Sequence, residues 1–256
     1  MSAELRLASG GAPAPETVHP LSVRGLTVAY GDAPAVFSVD ADFPAGTMTA
    51  IVGPNGAGKS SFLKGALGVV KPLSGEVRAF GGPLSRARRR IAYVPQRASV
   101  DWEFPARAID VAAMGLYARL GPFRLAGRGD LDIARAALSR VGMERLAERQ
   151  IGELSGGQQQ RVFIARALAQ GADLYLLDEP FAGVDAATEK ALVEVLKGLA
   201  AEGRMVVCVH HDLSTLQAYF DRVLMINLRK IAEGTVAETA TPENLRLTYG
   251  GAAQAA

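Results

Sequence analysis

Several things are scarce in this sequence, and each scarcity excludes something. Its 256 residues include one cysteine, Cys208. That rules out an intramolecular disulfide or a cysteine-rich zinc site and fits a reducing compartment. Cys208 itself reads as core. No apolar run approaches the roughly 18 to 20 residues that span a bilayer, and no basic start leads into an apolar stretch at the N-terminus. The chain is therefore expected not to cross a membrane on its own. Charge of one sign is also missing: 28 Lys and Arg stand against 26 Asp and Glu, for a net charge of +2. Such a balance provides no general attraction to nucleic acid or to an anionic membrane. The one dense basic run, Arg86-Ala87-Arg88-Arg89-Arg90, lacks the further patches and interleaved aromatics of a nucleic-acid surface and reads as a solvated face. Nucleic acid is not an expected partner. Three histidines, two adjacent (His210 and His211) and one in the N-terminal segment (His19), make no ligand set for a transition metal with a single cysteine. No internal repeat is visible.

What remains is an ordinary globular composition, 49% hydrophobic and 21% charged, long enough for one large or two small domains. Residues 1–20 mix Ala, Pro, Gly and Ser without periodicity, and residues 250–256 are similar. Both are expected to be poorly ordered tails around one folded domain at 21–249. Apolar residues partly alternate over 21–30 and recur over 35–43 after a Gly31-Asp32 turn, which predicts an antiparallel edge. Residues 48–52 form a continuous apolar run that breaks into glycines, a buried strand feeding a loop, and 91–94, 174–177 and 205–209 are three more such runs. Between the last two, 187–200 carries Leu192, Val195, Leu196 and Leu199 at helical spacing. Strands alternating with helices predict an α/β fold with a mostly parallel core sheet. From 97 to 155 the character changes, with helical patterns at 108–118 and 130–141 around a Gly/Pro/Arg-rich loop. This predicts an inserted helical subdomain over about residues 97–160, in which Val111, Met114, Leu116 and Tyr117 read mostly as core. Thr241-Pro242-Glu243 opens a last short helix, with Thr as cap and Pro at the first position.

Three motifs carry chemistry. Gly53-Pro54-Asn55-Gly56-Ala57-Gly58-Lys59-Ser60, followed by Ser61, lies between a buried strand and an apolar helix beginning near Lys59. That is the context of a phosphate-binding P-loop rather than of a simple Gly-rich turn. The glycines let backbone N–H groups turn inward, the helix N-terminus adds positive potential, Lys59 reaches the β- and γ-phosphates, and the Ser60 hydroxyl can ligate Mg²⁺. Leu174-Tyr175-Leu176-Leu177-Asp178-Glu179 places two carboxylates at the C-terminal end of a buried strand, where α/β sheets hold ligands. Asp178 is the candidate for Mg²⁺, and Glu179 is the candidate to orient or deprotonate an attacking water. Taken alone, the two also read as a solvated acid pair. Leu154-Ser155-Gly156-Gly157-Gln158 precedes an amphipathic run, so Ser155 caps a helix whose first turn exposes N–H groups through two glycines. This second anion site lacks a counterpart of Lys59, which points to completion of a nucleotide site across a dimer.

In this order and spacing the P-loop, LSGGQ and LYLLDEP resemble the ATP-binding subunit of an ABC transporter, over about residues 21–249. The resemblance implies a P-loop NTPase fold of ABC type, MgATP, and a second copy of the chain. Each ATP would lie between one P-loop and the partner copy's LSGGQ. It also implies that Tyr30 stacks on adenine, that Gln96 in Val94-Pro95-Gln96 sits near Mg²⁺ and the membrane partner, that Asp185 is the D-loop aspartate and that His211 is the switch histidine. Read without it, Tyr30 is a strand-end aromatic, and His210 is a polar strand cap.

At a finer level, Val100-Asp101-Trp102-Glu103-Phe104-Pro105, Glu179-Pro180-Phe181-Ala182-Gly183-Val184-Asp185 and Val209-His210-His211-Asp212-Leu213 are similar to importer subunits for manganese, zinc or ferrous iron. Phe181-Ala182-Gly183-Val184 departs from the commoner Ser-Ala-Leu type of D-loop. This branch implies a multi-spanning membrane permease, an extracytoplasmic metal-binding protein and a place on the cytoplasmic face of the plasma or inner membrane. Trp102, Phe104 and Pro105 are candidates for a groove that receives a cytoplasmic helix of the permease, with subdomain core as the other reading of Trp102. The competing classes are an importer for a siderophore, haem or another nutrient, a soluble ABC-type ATPase, and a small-molecule kinase, which has no use for LSGGQ.

Overall fold

Alternating apolar residues pair β1 (Leu21–Tyr30) antiparallel with β2 (Ala33–Phe43), Leu21 opposite Phe43 and Tyr30 opposite Ala33. The computed structural model describes residues 19–31, 33–96, 105–121 and 125–250. The expected tails thus fall mostly outside the described residues, as do Asp32 of the first turn and Val100 to Phe104.

After β2 come β3 (Met48–Val52), α1 (Lys59–Ala66), β4 (Ser74–Ala79), β5 (Gly82–Pro83), α2 (Leu84–Ala87) and β6 (Ile91–Val94). Helices follow: α3 (Ala108–Ala113), a 3₁₀ turn leading into α4 (Tyr117–Leu120), α5 (Arg128–Arg140) and α6 (Gly156–Gln170). The chain then alternates through β7 (Leu174–Asp178), α7 (Ala186–Ala201), β8 (Met205–Val209) and α8 (Leu216–Tyr219). It ends in β9 (Arg222–Asn227), β10 (Arg229–Thr235), α9 (Val236–Thr239) and α10 (Pro242–Tyr249).

The core sheet runs β10-β9-β3-β8-β7-β6, parallel except for β10. β3, β7 and β8 are buried at every position, as their continuous apolar runs require. Alternate side chains serve two cores. Met48, Ala50 and Val52 point to one, with α6 and α7, while Ile51 points to the other, with β1, β2 and α1. The antiparallel edge of the core sheet exists, but β10 forms it. β1 and β2 belong to a second, four-stranded sheet, β2-β1-β4-β5, packed over one face. β4 is mostly exposed and β10 half-buried, so neither carries a burial pattern. β9 has only a four-residue apolar run, which does not distinguish strand from helix.

Candidate active site

Four neighbouring parallel strands deliver the candidate residues to one edge of the sheet. In the order β3, β8, β7, β6, their carboxyl ends lead into the P-loop, His210-His211, Asp178-Glu179 and Gln96. Ligands of α/β sheets bind at that edge.

The P-loop leaves β3 through gaps that admit only glycine. A Cβ at Gly53 would lie 2.0 Å from the Ile226 carbonyl oxygen, and one at Gly58, where φ is 90°, would lie 2.1 Å from that of Ala35. Helix α1 then starts at Lys59 with no side-chain cap, so its first N–H groups are open to an anion. Above them is a cleft of about 360 Å³ whose lining includes Ala35, Asn55, Gly56, Lys59, Ser60, Ser61 and Glu179. The Lys59 ammonium is buried and donates to the carbonyl oxygens of Gly53 (2.8 Å) and Pro54 (2.9 Å). Burial pulls its pKa down, against the pull of Glu179 and Asp178.

Asp178 is 0% exposed. Its Oδ1 accepts from the Ser60 hydroxyl at 2.9 Å, while the buried Oδ2 has no partner. Burial pushes this carboxyl upward, and the Ser60 hydrogen bond opposes the shift. An unpaired carboxylate oxygen beside a hydroxyl is a hard oxygen donor set, the kind that suits Mg²⁺. Next in sequence, Glu179 adopts φ 53°, in the left-handed region, as the chain turns off β7. Its Oε2 accepts from Gln96 Nε2 at 3.0 Å, across 83 positions of sequence.

The ABC transporter family matches residues 36–182. The chain belongs to that family. Curated relatives agree along nearly the whole length. The zinc transport system ATP-binding protein TroB of Treponema pallidum (strain Nichols) is 53% identical, over 92% of this chain and 88% of TroB. The manganese transport system ATP-binding protein MntB of Bacillus subtilis (strain 168) is 50% identical, over 91% of this chain and 94% of MntB. Among solved structures, a metal-chelate type ABC transporter in an inward-facing conformation superposes with a TM-score of 0.78 at 29% identity, covering 90% of this chain and 88% of that one. A dimeric bacterial ABC transporter cassette gives 0.75 at 28% identity, over 84% and 98%. The protein is thus an ABC ATP-binding subunit, a nucleotide-binding protein of a family that hydrolyses ATP.

The ABC subunit's other candidate residues are not among those that line this cleft. Ser155 caps α6 in a capping box: its Oγ accepts from Gln158 N at 3.4 Å, and Gln158 Oε1 accepts from Ser155 N at 2.9 Å. None of Ser155, Gly156, Gly157 and Gln158 lines the P-loop cleft. Gly157 instead packs against the D-loop, where a Cβ would lie 2.9 Å from the Gly183 oxygen. Asp185 caps α7, accepting from Ala187 N, Thr188 N and, at 2.6 Å, the Thr188 hydroxyl. The Thr188 bonds hold its carboxyl below the usual range. His211 is exposed directly after β8, and Tyr30 is 53% exposed at the end of β1. Pro105 is exposed, whereas Trp102 and Phe104 lie outside the described residues.

His210 is 3% exposed, more deeply placed than a strand cap. Its Nε2 lies 2.8 Å from Thr215 Oγ1, and its ring meets Phe181 edge-on at 5.9 Å. Burial first, and then His211, push its pKa down to about 4. The sequence carried no signal for these neighbours, nor for the bond from Leu228 N–H to the Ala57 oxygen that supports the P-loop.

Proposed function

We propose that this chain is the ATPase that powers import of a transition metal ion through a separate membrane permease. It works as a dimer of two copies at the cytoplasmic face of the membrane, with an extracytoplasmic metal-binding protein supplying the cargo. Residues 21–249 form one ATPase domain in this reading, with the helical subdomain over about residues 97–160. The zinc and manganese roles in the names of TroB and MntB support the cargo class. The metal-chelate type transporter favours a second reading, import of a chelated metal, at lower identity: 29% against 53%. The dimeric cassette supports pairing.

One observation carries the catalytic reading: Ser60 bonded to one oxygen of buried Asp178, with the other oxygen unpaired beside the P-loop cleft. Ser60, Asp178 and the Gln96 amide would hold Mg²⁺, which when bound neutralises charge on the β- and γ-phosphates. Lys59 leaves the Gly53 and Pro54 carbonyls for phosphate oxygens, while backbone N–H groups of the loop and of the first turn of α1 wrap the β-phosphate. Tyr30, exposed at the end of β1, stacks on adenine. Glu179, oriented by Gln96, takes the proton of the water that attacks the γ-phosphorus, and the bond to the ADP oxygen breaks. His211 steadies the γ-phosphate. Ser155, Gly156, Gly157 and Gln158 of the second copy close over it with Asp185 nearby, since within one chain the signature residues do not line the cleft.

For the permease, a cleft of about 240 Å³ lies beside β6, lined by Leu67, Val69, Leu84, Arg88, Ile91 and Tyr93. With Val69 of its lining exposed, it supports docking of a short cytoplasmic helix on the strand that leads to Gln96. Movement there reaches Glu179 through the Gln96 bond.

Glu179→Gln tests the reading. Turnover should fall by about 10²- to 10⁴-fold, the usual loss on removing a general base, while ATP binding persists and sizing with ATP shows a trapped dimer. Lys59→Ala should instead weaken nucleotide binding. A monomeric and fully active Glu179→Gln chain sinks the proposal.

A further inference from the structure

His210 is a buried polar residue that the catalytic reading leaves without a task, and it bridges two parts of the site. Its backbone N–H donates to the Ile51 oxygen at 3.0 Å, on the strand that opens into the P-loop. Its side chain reaches the turn that carries His211. Nε2 lies 2.8 Å from Thr215 Oγ1, and the Thr215 hydroxyl donates its single proton to the Asp212 oxygen at 3.1 Å. With that proton engaged, Nε2–H of His210 is assigned as the donor and the threonine oxygen as the acceptor.

Packing fixes the ring that makes this bond. His210 is 3% exposed, and its ring centroid lies 5.0 Å from that of Phe220, 5.9 Å from Phe181 and 6.3 Å from Tyr219. A ring wedged among three others keeps one orientation. The turn, by contrast, is open: His211, Leu213 and Ser214 are exposed, and Asp212 and Thr215 are half-buried. Asp212 Oδ1 accepts from the Ser214 N–H at 2.9 Å and from the Ser214 hydroxyl at 2.7 Å, which shapes the turn without fixing where it sits. Among the described residues, the His210–Thr215 bond is the one side-chain hydrogen bond that ties residues 211–215 to a buried group. The His211 ring stands beside the anchor, 5.9 Å from the His210 ring and tilted by 38°. A group that meets a reacting phosphate must be held closely, since a misplacement of about 1 Å can cost on the order of 10²-fold in rate.

We propose that His210 is a positioning residue for hydrolysis: its bond to Thr215 pins the turn after β8 and so holds His211 in place relative to the P-loop strand. The inference rests on the reading of His211 as the residue that steadies the γ-phosphate.

Thr215→Val in the full chain is the test, because it keeps the branched shape and removes the acceptor. Turnover should show kcat lowered about 3- to 10-fold, the worth of one neutral hydrogen bond. The Kd of a fluorescent ATP analogue should stay within about twofold, because the P-loop is untouched. Thr215→Ser, which keeps the hydroxyl, should recover wild-type turnover. The same substitution is then made in a His211→Ala chain, with phosphate release followed long enough to read the slowest variant. There Thr215→Val should cost nothing further, because the pin acts only through the side chain already removed. Should Thr215→Val fail to fold, His210→Phe, which keeps a packed ring and lacks the Nε2–H, takes its place in the cycle. Equal kcat with and without the bond overturns the inference. So does an equal loss whether or not His211 is present, which is what a merely structural role produces, or a Thr215→Ser chain as slow as Thr215→Val. Undiminished turnover in His211→Ala alone overturns the reading of His211 itself, an outcome distinct from the others.

Discussion

At the scale of single residues, the buried side chains say most about how the site is kept in shape. His210 lies between the P-loop strand and the D-loop, against Phe181 and Tyr219, with Thr215 on its Nε2 and with His211 and Asp212 as its charged or titratable neighbours. Its native pKa of about 4 is below the unfolded value of 6.5, so between those values the unfolded chain binds more protons than the folded one. Stability from this residue is therefore complete above about pH 6.5 and drains away as pH falls toward 4. We expect the wild type to lose about 1 to 2 kcal/mol between pH 7 and pH 5 in urea unfolding, and His210→Gln to lose distinctly less. Parallel pH dependence of the two chains would show that His210 is not the group that titrates. The same buried shell explains which residues could be read beforehand. Lys59, Ser60, Asp178 and Glu179 stand in contiguous motifs whose chemistry is local, so spacing alone announces them. The partners of His210, and the reach of Gln96 to Glu179 across 83 positions, exist only after strands are ordered in the sheet.

At the scale of elements, the helical segment after β6 is tied to the sheet by α6. Arg166 donates to the Tyr93 oxygen at 2.9 Å and Gln170 to the Ile91 oxygen at 2.7 Å, so the signature helix rests along the strand that leads to Gln96. The stretch from α3 to α4 crosses α6 backbone to backbone at Gly115, where a Cβ would meet the Arg166 oxygen at 2.1 Å. Gly115→Ala should thus pry the helices apart and cost about 1 to 3 kcal/mol, as overpacking does. Gly198, inside α7 with open space for 4 Å around the place a methyl group would take, predicts the opposite: Ala there should stabilise by about 0.5 to 1 kcal/mol. Urea midpoints of the two variants moving the same way would contradict this account of the helix crossings. Element existence was largely legible, because β3, β7 and β8 are continuous apolar runs and α7 has apolar residues at helical spacing. Partnership was not, because β1 and β2 alternate in the same way whether they edge the core sheet or roof it, and β4 is too exposed to show a pattern.

At the scale of the whole molecule, the chain is an ATP-binding subunit whose relatives are named for different metals. TroB and MntB carry zinc and manganese in their names, yet they are 53% and 50% identical to this one chain. ATPase subunits this similar serve different metals, so the cargo must be read from cells. Manganese, zinc and iron contents measured by elemental mass spectrometry, with wild type or Glu179→Gln expressed from the same locus, give that reading. If the subunit drives metal import, arresting hydrolysis should deplete one metal selectively while the other two hold steady, and adding the depleted metal at high concentration should restore growth by slower routes. Unchanged contents of all three, beside a wild-type chain that turns over ATP, would leave the ATPase intact and remove the metal from its function. A fall in iron alone that an intact chelate relieves, and free iron does not, would favour the chelated-metal reading that the 29%-identical transporter supports.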